Sequence, residues 1–566
     1  MGRATTKIHS AAAWTEHMRQ LVIPLLLGLA CQITVSAEDA GFSQAMITAA
    51  ELSNFERTST FAEVLSVVDA LCASSDLVHR ETLVTSLEGK NVPLLVLADP
   101  MVRTPEEARA SGKLVVYIQG NIHGGEVEGK EASLIAMREI LHGDKQHLLT
   151  NQIVLFLPVY NSDGNDQMSD GSRDSQEMSP QLAGQRTAHG YDLNRDGMII
   201  DTIETAALYE NLIQRWDPDI LVDLHTTNGT WHGYSLTYAP SYHTAGDAAP
   251  SDYTSDVMLP AIRQSIKEKF NLNFNWYGGF DFRDWPPSEL RTYNHAPRYL
   301  TNNMGLRNRM AILSETFAHD RFYKRVHAAN AFVNEILEYS NMHAGEIREI
   351  NRQADARVVD QIENHAGSYQ NGVQFEMVAL KEPLDLLSYK YIPYTADDGS
   401  QKFVRSSEIV EIKGVQNFNA FKAIKSATVP ISYVFPAELE VLAAKLGQHG
   451  IEVSRLAQDQ EFGGESFKVT EIERQSFVQN NHRNSRLLGS FEPESKGFSA
   501  GDYYVAMNNR LANLIFYLLE PEADDGLAYW NMFDEYLERE LENASVANYP
   551  VFKVLVRQAR VSGSAD

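Results

Sequence analysis

Four strand-length runs, apolar on both faces, lie between residues 113 and 315, with helix-patterned stretches between them. They are "KLVVYIQG", "QIVLFLPVY", "DPDILVDLH" and "RMAILSE". A strand with one wet face alternates apolar and polar residues, so a continuous apolar run needs cover on both sides. Strands of this kind linked by helices give a mostly parallel sheet between helical layers, an α/β chain. Helical period is present over 127–141, where Ala132, Ile135, Ala136, Ile140 and Leu141 recur, in "TIETAALYENLIQRW" and over 321–340. Such sheets bind ligands outside the carboxyl ends of their strands, and the polar residues here cluster at those ends.

A chain of 566 residues is too long for one ordinary core. Its net charge of -26 argues against nucleic acid, whose phosphates select basic surfaces. At the N-terminus, "MRQLVIPLLLGLACQITVSA" has the basic, apolar, small-residue order of a secretory signal, with cleavage expected after Ala37. Translation beginning at Met18 would shorten its leading stretch, and a lipoprotein reading of "LGLAC" suffers from Gly28. The apolar run is too short to span a bilayer, and no other span is expected after cleavage. The expected location is therefore exported, periplasmic or secreted. Cleavage would leave Cys72 as the single cysteine, so no internal disulfide is expected.

The expected boundaries are a signal over 1–37, a main domain over 38–345, a polar connector over 346–375 and a smaller α+β accessory region over 376–566. Residues 38–105 give one helical pattern and one strand before the buried runs begin.

The sharpest local pattern is "NIHGGEVEGKE". His123 and Glu126 stand three apart where a strand gives way to a helix, and Gly124 and Gly125 allow a sharp turn between them. They can be two ligands of a zinc ion, or Glu126 can cap the helix. Glu128 is a rival ligand, read more simply as a solvated helix face. A third ligand is offered by His225 at the end of "DILVDLH", where Asp223, on the same strand face, can orient it or meet solvent. Asn194 and Arg195 side by side suit a carboxylate, and Glu315 ends a buried strand where burial can make it a general base.

With "HGGE", "YDLNRD", "DLH" and "LSE" in this order, the chain resembles the zinc metallocarboxypeptidases of the carboxypeptidase A type over residues 113 to about 340. The resemblance implies an α/β/α sandwich around a mixed, largely parallel eight-stranded sheet. It implies one zinc ion on His123, Glu126 and His225, with Glu315 activating water. It further implies that Asn194 and Arg195 bind a peptide substrate by its free C-terminal carboxylate, and that Asp192 orients the first zinc histidine. Arg186 would stabilise the oxyanion, with Arg173 as rival, and Tyr293 would cap the substrate, with Tyr299 as the weaker choice.

The chain departs from the family at Gly125, where classical members have arginine. The expected activity is hydrolysis of C-terminal peptide bonds. The alternatives are a zinc amidase of the same fold acting on murein peptides or N-acyl amino acids, and an inactive binding protein whose accessory region does the work.

Overall fold

A computed structural model describes residues 42–173, 180, 182–227, 229–542 and 544–556. The signal, its cleavage point and Cys31 lie outside the described residues. After helix α1 (Phe61–Ser74), capped by Thr60 with Glu63 answering three residues on, come β1 (Val78–Thr85) and β2 (Asn91–Leu97). Then follow β3 (Leu114–Gly120), α2 (Glu128–His142), β4 (Gln152–Leu157), β5 (Ile220–Thr226), β6 (Leu236–Pro240), β7 (Phe274–Trp276) and β8 (Met310–Thr316). Helices α3 (Phe322–Met342) and α4 (Ala344–His365) close this part of the chain.

The eight strands form one sheet in the order β1-β2-β4-β3-β5-β8-β6-β7. The central β4, β3, β5 and β8 run parallel; β1, β2 and β6 add antiparallel pairings. The sheet is thus mixed and largely parallel at its centre. Every residue of β3, β4, β5 and β8 is buried. Separate apolar clusters cover the two faces, one with Leu134, Phe332 and Ile336, the other with Tyr209, Leu212 and Trp216. The four runs picked out by their continuous apolar character are these four strands. The region before them holds two strands rather than one.

The stretch 346–375, expected to be a polar connector, is mostly the helix α4. Its apolar residues are sparse but recur at helical spacing: Ile347, Ala354, Val358 and Ile362 are buried along one side. The remainder of that surface is charged and wet, which is what gives the segment its polar composition.

The C-terminal part holds a long hairpin of β9 (Leu384–Thr395) and β10 (Gln401–Phe418). A seven-stranded sheet includes β11 (Ser432–Phe435), β12 (Gln460–Arg474), β13 (Ser485–Phe498), β14 (Tyr503–Ala506) and β15 (Phe552–Val554). This part is not held by a tether alone. One apolar cluster joins Met198, Ile199 and Leu306 of the first part to Val505, Phe516 and Trp530 of the second.

Glu128, expected on a solvated face, is buried at the first turn of α2. It lies 2.8 Å from the guanidinium of fully buried Arg325 and accepts a hydrogen bond from Thr226. Arg325 stands 197 positions away in sequence, so nothing local to Glu128 announces the pair. Removing one partner of a buried ion pair strands the other charge, so Arg325→Met is expected to cost about 3–5 kcal/mol. Adding Glu128→Gln to it should recover a large part of that loss, as read by denaturant unfolding of the single and double variants.

Candidate active site

Three adjacent parallel strands deliver the central residues. His123 and Glu126 follow β3, His225 lies near the end of β5, and Glu315 lies near the end of β8. His225 and Glu315 are register partners across β5 and β8, so their side chains leave the same face side by side. Asn121 shapes the β3–α2 turn. It adopts φ +62°, and its side-chain amide donates to the carbonyls of His123, Gly124 and Glu126 at 3.1–3.2 Å.

Gly124 and Gly125 matter for space rather than for an unusual φ. A Cβ on Gly124 would come within 2.4 Å of the Gly164 backbone. One on Gly125 would come within 2.7 Å of the Arg173 side chain. Where the resembled family has an arginine, this chain has Gly125, with no room for a side chain, and Arg173 from a distant loop packs against it. Helix α2 starts at Glu128 with no side-chain cap on Val127, so Glu126 is not spent on capping.

The two imidazoles meet edge to face, their planes 63° apart and their ring centres 5.0 Å apart. His123 Nδ1 is 2.9 Å from Glu126 Oε1, and His225 Nδ1 is 2.7 Å from Glu126 Oε2. Both outer nitrogens meet carboxylates: His123 Nε2 is 3.1 Å from Asp192 Oδ1, and His225 Nε2 is 2.9 Å from Asp223 Oδ2. Asp223, fully buried, accepts from the Gln119 amide at 2.9 Å, and Gln119 accepts from the Tyr117 hydroxyl at 2.6 Å. A carboxylate close to each Nε2 atom favours a proton there and leaves the Nδ1 lone pairs for a cation; the Asp223 contact with His225 is one of charge proximity rather than an aligned hydrogen bond.

One donor atom from each of His123, Glu126 and His225 lies within 4.8 Å of the others. Two imidazoles and a carboxylate are the donor set that zinc takes in hydrolases, with a further position left open. The residues therefore fit a zinc ion. A second cluster of Glu88, Asp163 and His189 has similar spacing, but the Lys90 ammonium already sits 3.0 Å from Asp163.

Charge follows from these neighbours. Against the push of burial, His123, Arg173 and His225 hold the Glu126 carboxyl well below the usual carboxylate range. Asp192 is likewise held far down, in spite of its burial, by His123, Arg195 and Arg186. Burial lowers the affinity of His225 for a proton, but Asp223 and Glu126 outweigh it and raise its pKa. Glu315 goes the other way: burial, with the charge of Glu126 adding to it and His225 opposing, pushes it up to about 8. Its Oε2 is buried with no hydrogen-bond partner among the described residues.

All the expected site residues except Asp192, which stands just behind His123, line one cleft of about 550 Å³. Asn194 lies with its amide 3.4 Å from His225 Nε2. Arg195 stacks its guanidinium 4.4 Å from the Tyr299 ring centre. Tyr293 donates to or accepts from the Thr301 hydroxyl at 3.0 Å. Arg186 is bound through Nε to Asp192 at 3.0 Å, whereas Arg173 donates to Glu126 at 2.8 Å. Tyr277 and Leu313 also line the cleft. They gave no signal in the sequence, because an aromatic residue in a loop and a leucine in a buried strand look like ordinary core.

The zinc carboxypeptidase family model matches residues 64–282, a span that includes His123, Glu126 and His225 and stops short of Glu315. Carboxypeptidase 2 of Trichophyton tonsurans is 21% identical over 513 residues, covering 85% of this chain and 84% of its own. Carboxypeptidase 2 of Trichophyton rubrum is 22% identical over 493 residues, covering 81% and 80%. Among solved structures, a metallo-carboxypeptidase from Pseudomonas aeruginosa in complex with (2-guanidinoethylmercapto)succinic acid aligns at 15% identity and TM-score 0.37. It covers 51% of this chain and 70% of that one. Carboxypeptidase A from Helicoverpa armigera aligns at 17% identity and TM-score 0.36, covering 56% and 78%.

The chain is a zinc metallopeptidase. More narrowly, its residues 64–282 match the zinc carboxypeptidase family, and the chain takes one zinc ion.

Purified protein is expected to hold about one zinc per chain, and His225→Ala to lose it. Asp223→Ala should keep the fold but weaken zinc binding by about 10–100-fold, as outer carboxylate partners of ligating histidines typically do. Competition against a chromophoric chelator measures both.

Proposed function

We propose that this protein is a metallocarboxypeptidase that hydrolyses the C-terminal peptide bond of substrates with a free α-carboxylate. The observation that carries the reading is the convergence of the His123, Glu126 and His225 donors beside Glu315, with Asn194 and Arg195 in the same cleft. Zinc held by His123, Glu126 and His225 supplies Lewis acidity to a carbonyl and to water.

This chain's own residues do the rest. Glu315 takes a proton from the attacking water and passes it to the leaving amine. Its burial and its unpartnered Oε2 suit a base that must hold and release a proton. Arg195 offers the bidentate donors that match a carboxylate, and Asn194 offers an amide beside it. The guanidinium donors of Arg186 stabilise the developing oxyanion. Arg173 is less suited to that task, since Glu126 already engages it. Tyr293 closes over the bound residue. Asp192 and Asp223 hold the two histidines.

The cleft also suggests which C-terminal side chain is preferred. Besides its charged groups, it is lined by Tyr277, Tyr293, Tyr299, Thr301 and Leu313, and its carboxylates, Glu126 and Glu315, belong to the chemistry. Among the described residues that line it, no further carboxylate is left to meet a basic side chain, which favours apolar or aromatic C-terminal residues. Export is proposed from the signal-like N-terminus, and no described helix is long and apolar enough to cross a membrane.

A peptide-library digest read by mass spectrometry should show single residues lost from the C-terminus, apolar and aromatic ones first. Amidated peptides should resist; equal cleavage of amidated and free peptides would favour the amidase alternative. Glu315→Gln should lose about 10²–10⁴-fold in kcat while retaining zinc. Wild-type protein that binds zinc but hydrolyses nothing would return the chain to a binding role.

A further inference from the structure

The C-terminal region touches the surroundings of the site at the turn between β12 and β13. Gln479 and His482 exchange backbone hydrogen bonds at 2.8 Å in both directions, which makes a tight two-residue hairpin turn. Its central residues, Asn480 and Asn481, have φ +45° and +65°, the left-handed values such a turn requires. Asparagine tolerates that conformation, and Asn480 then has its side chain free for another task.

That side chain spans to Asp192, 288 positions earlier in the chain. The Asp192 backbone N–H donates to Asn480 Oδ1 at 3.0 Å, and the Asn480 amide donates to the Asp192 carbonyl at 3.0 Å. Both backbone groups of one residue are thus held by one primary amide, in the manner of an antiparallel strand pair. The held residue is the one whose Oδ1 meets His123 Nε2 at 3.1 Å. The same carboxylate accepts from the Asn194 backbone N–H at 3.0 Å and, through Oδ2, from Arg186.

The turn has other anchors that bypass Asp192. The His482 ring nitrogen lies 2.6 Å from Asp201, and Gln479 accepts from Arg298. These suffice to dock the turn. The Asn480 amide is buried at the junction and is spent wholly on the Asp192 backbone.

We infer that Asn480 is a positioning residue of the active site, acting through Asp192 on the imidazole of His123, so that the C-terminal region is part of the catalytic apparatus. The inference rests on reading Asp192 as the group that holds His123. An Asp192 backbone free to shift would let its carboxylate drift from His123 Nε2, and the ring would lose the restraint that aims Nδ1. Asn194 and Arg195 follow Asp192 directly and would share a part of that shift.

The test is Asn480→Gly in the full-length chain, since glycine accepts the positive φ and removes only the side chain. Zinc affinity by competition with a chromophoric chelator should weaken by about tenfold, the low end for outer partners of a ligand. kcat should fall by a similar factor with a smaller change in KM. His482→Ala, which cuts a neighbouring anchor of the same turn, should leave zinc affinity within about twofold of wild type. Wild-type zinc affinity in Asn480→Gly, or an equal loss in His482→Ala, would overturn the inference and reduce the turn to a docking contact. Asp192→Ala separates the two levels. If it too leaves zinc affinity unchanged, the reading of Asp192 fails first; if it weakens zinc binding and Asn480→Gly does not, only Asn480's role fails.

Discussion

The placement of a carboxylate behind each histidine's outer nitrogen, Asp223 buried and Asp192 half-buried, is the constraint on which the site depends. An imidazole has two nitrogens, and a metal site works only if the intended one is unprotonated and correctly aimed. Asp192 and Asp223 settle this for His123 and His225 by standing at Nε2, so both Nδ1 atoms turn towards Glu126. Burying these carboxylates is unfavourable by itself, since ionised groups lose hydration. The cost is offset by contacts supplied from far apart: Gln119 for Asp223, and Arg186 with the Asn194 backbone for Asp192.

The sheet makes this arrangement possible. Parallel strands bring their carboxyl ends to one edge, and β3, β5 and β8 are consecutive neighbours there. The register that pairs Glu315 with His225 sets the proposed base beside the proposed ligand, while Asp223 and Gln119 pair one step below them. Slipping either pairing by one residue would send a whole set of side chains to the other face. The same burial that secures the strands raises Glu315, and among the described residues its Oε2 meets no hydrogen-bond partner.

Much of this is legible in the sequence because its causes are local. Continuous apolar runs must be buried strands, and polar residues ending them must lie at one sheet edge; His123, His225 and Glu315 follow from that alone. β6 and β7 escaped notice because they are short and carry no continuous apolar run. Helix α4 looked like a connector because it buries so narrow a stripe. Glu128 looked solvated because its partner, Arg325, is remote in the chain, and Asn480 was silent for the same reason. A pair of asparagines announces a turn, not that the turn grips Asp192. Equally silent in the sequence is the apolar core that the first part shares with the C-terminal part, since it is a property of packing rather than of composition.

The proposed site is decided by which nitrogen of each histidine meets the ion. A crystal structure of zinc-loaded protein, with the ion located by its anomalous signal, measures this directly. The prediction is one zinc at about 2.0–2.1 Å from Nδ1 of both His123 and His225, with a Glu126 oxygen at about 2.0–2.2 Å and Asp192 and Asp223 still at the Nε2 atoms. Ligation through Nε2, or an ion that leaves out any of the three residues, would contradict it.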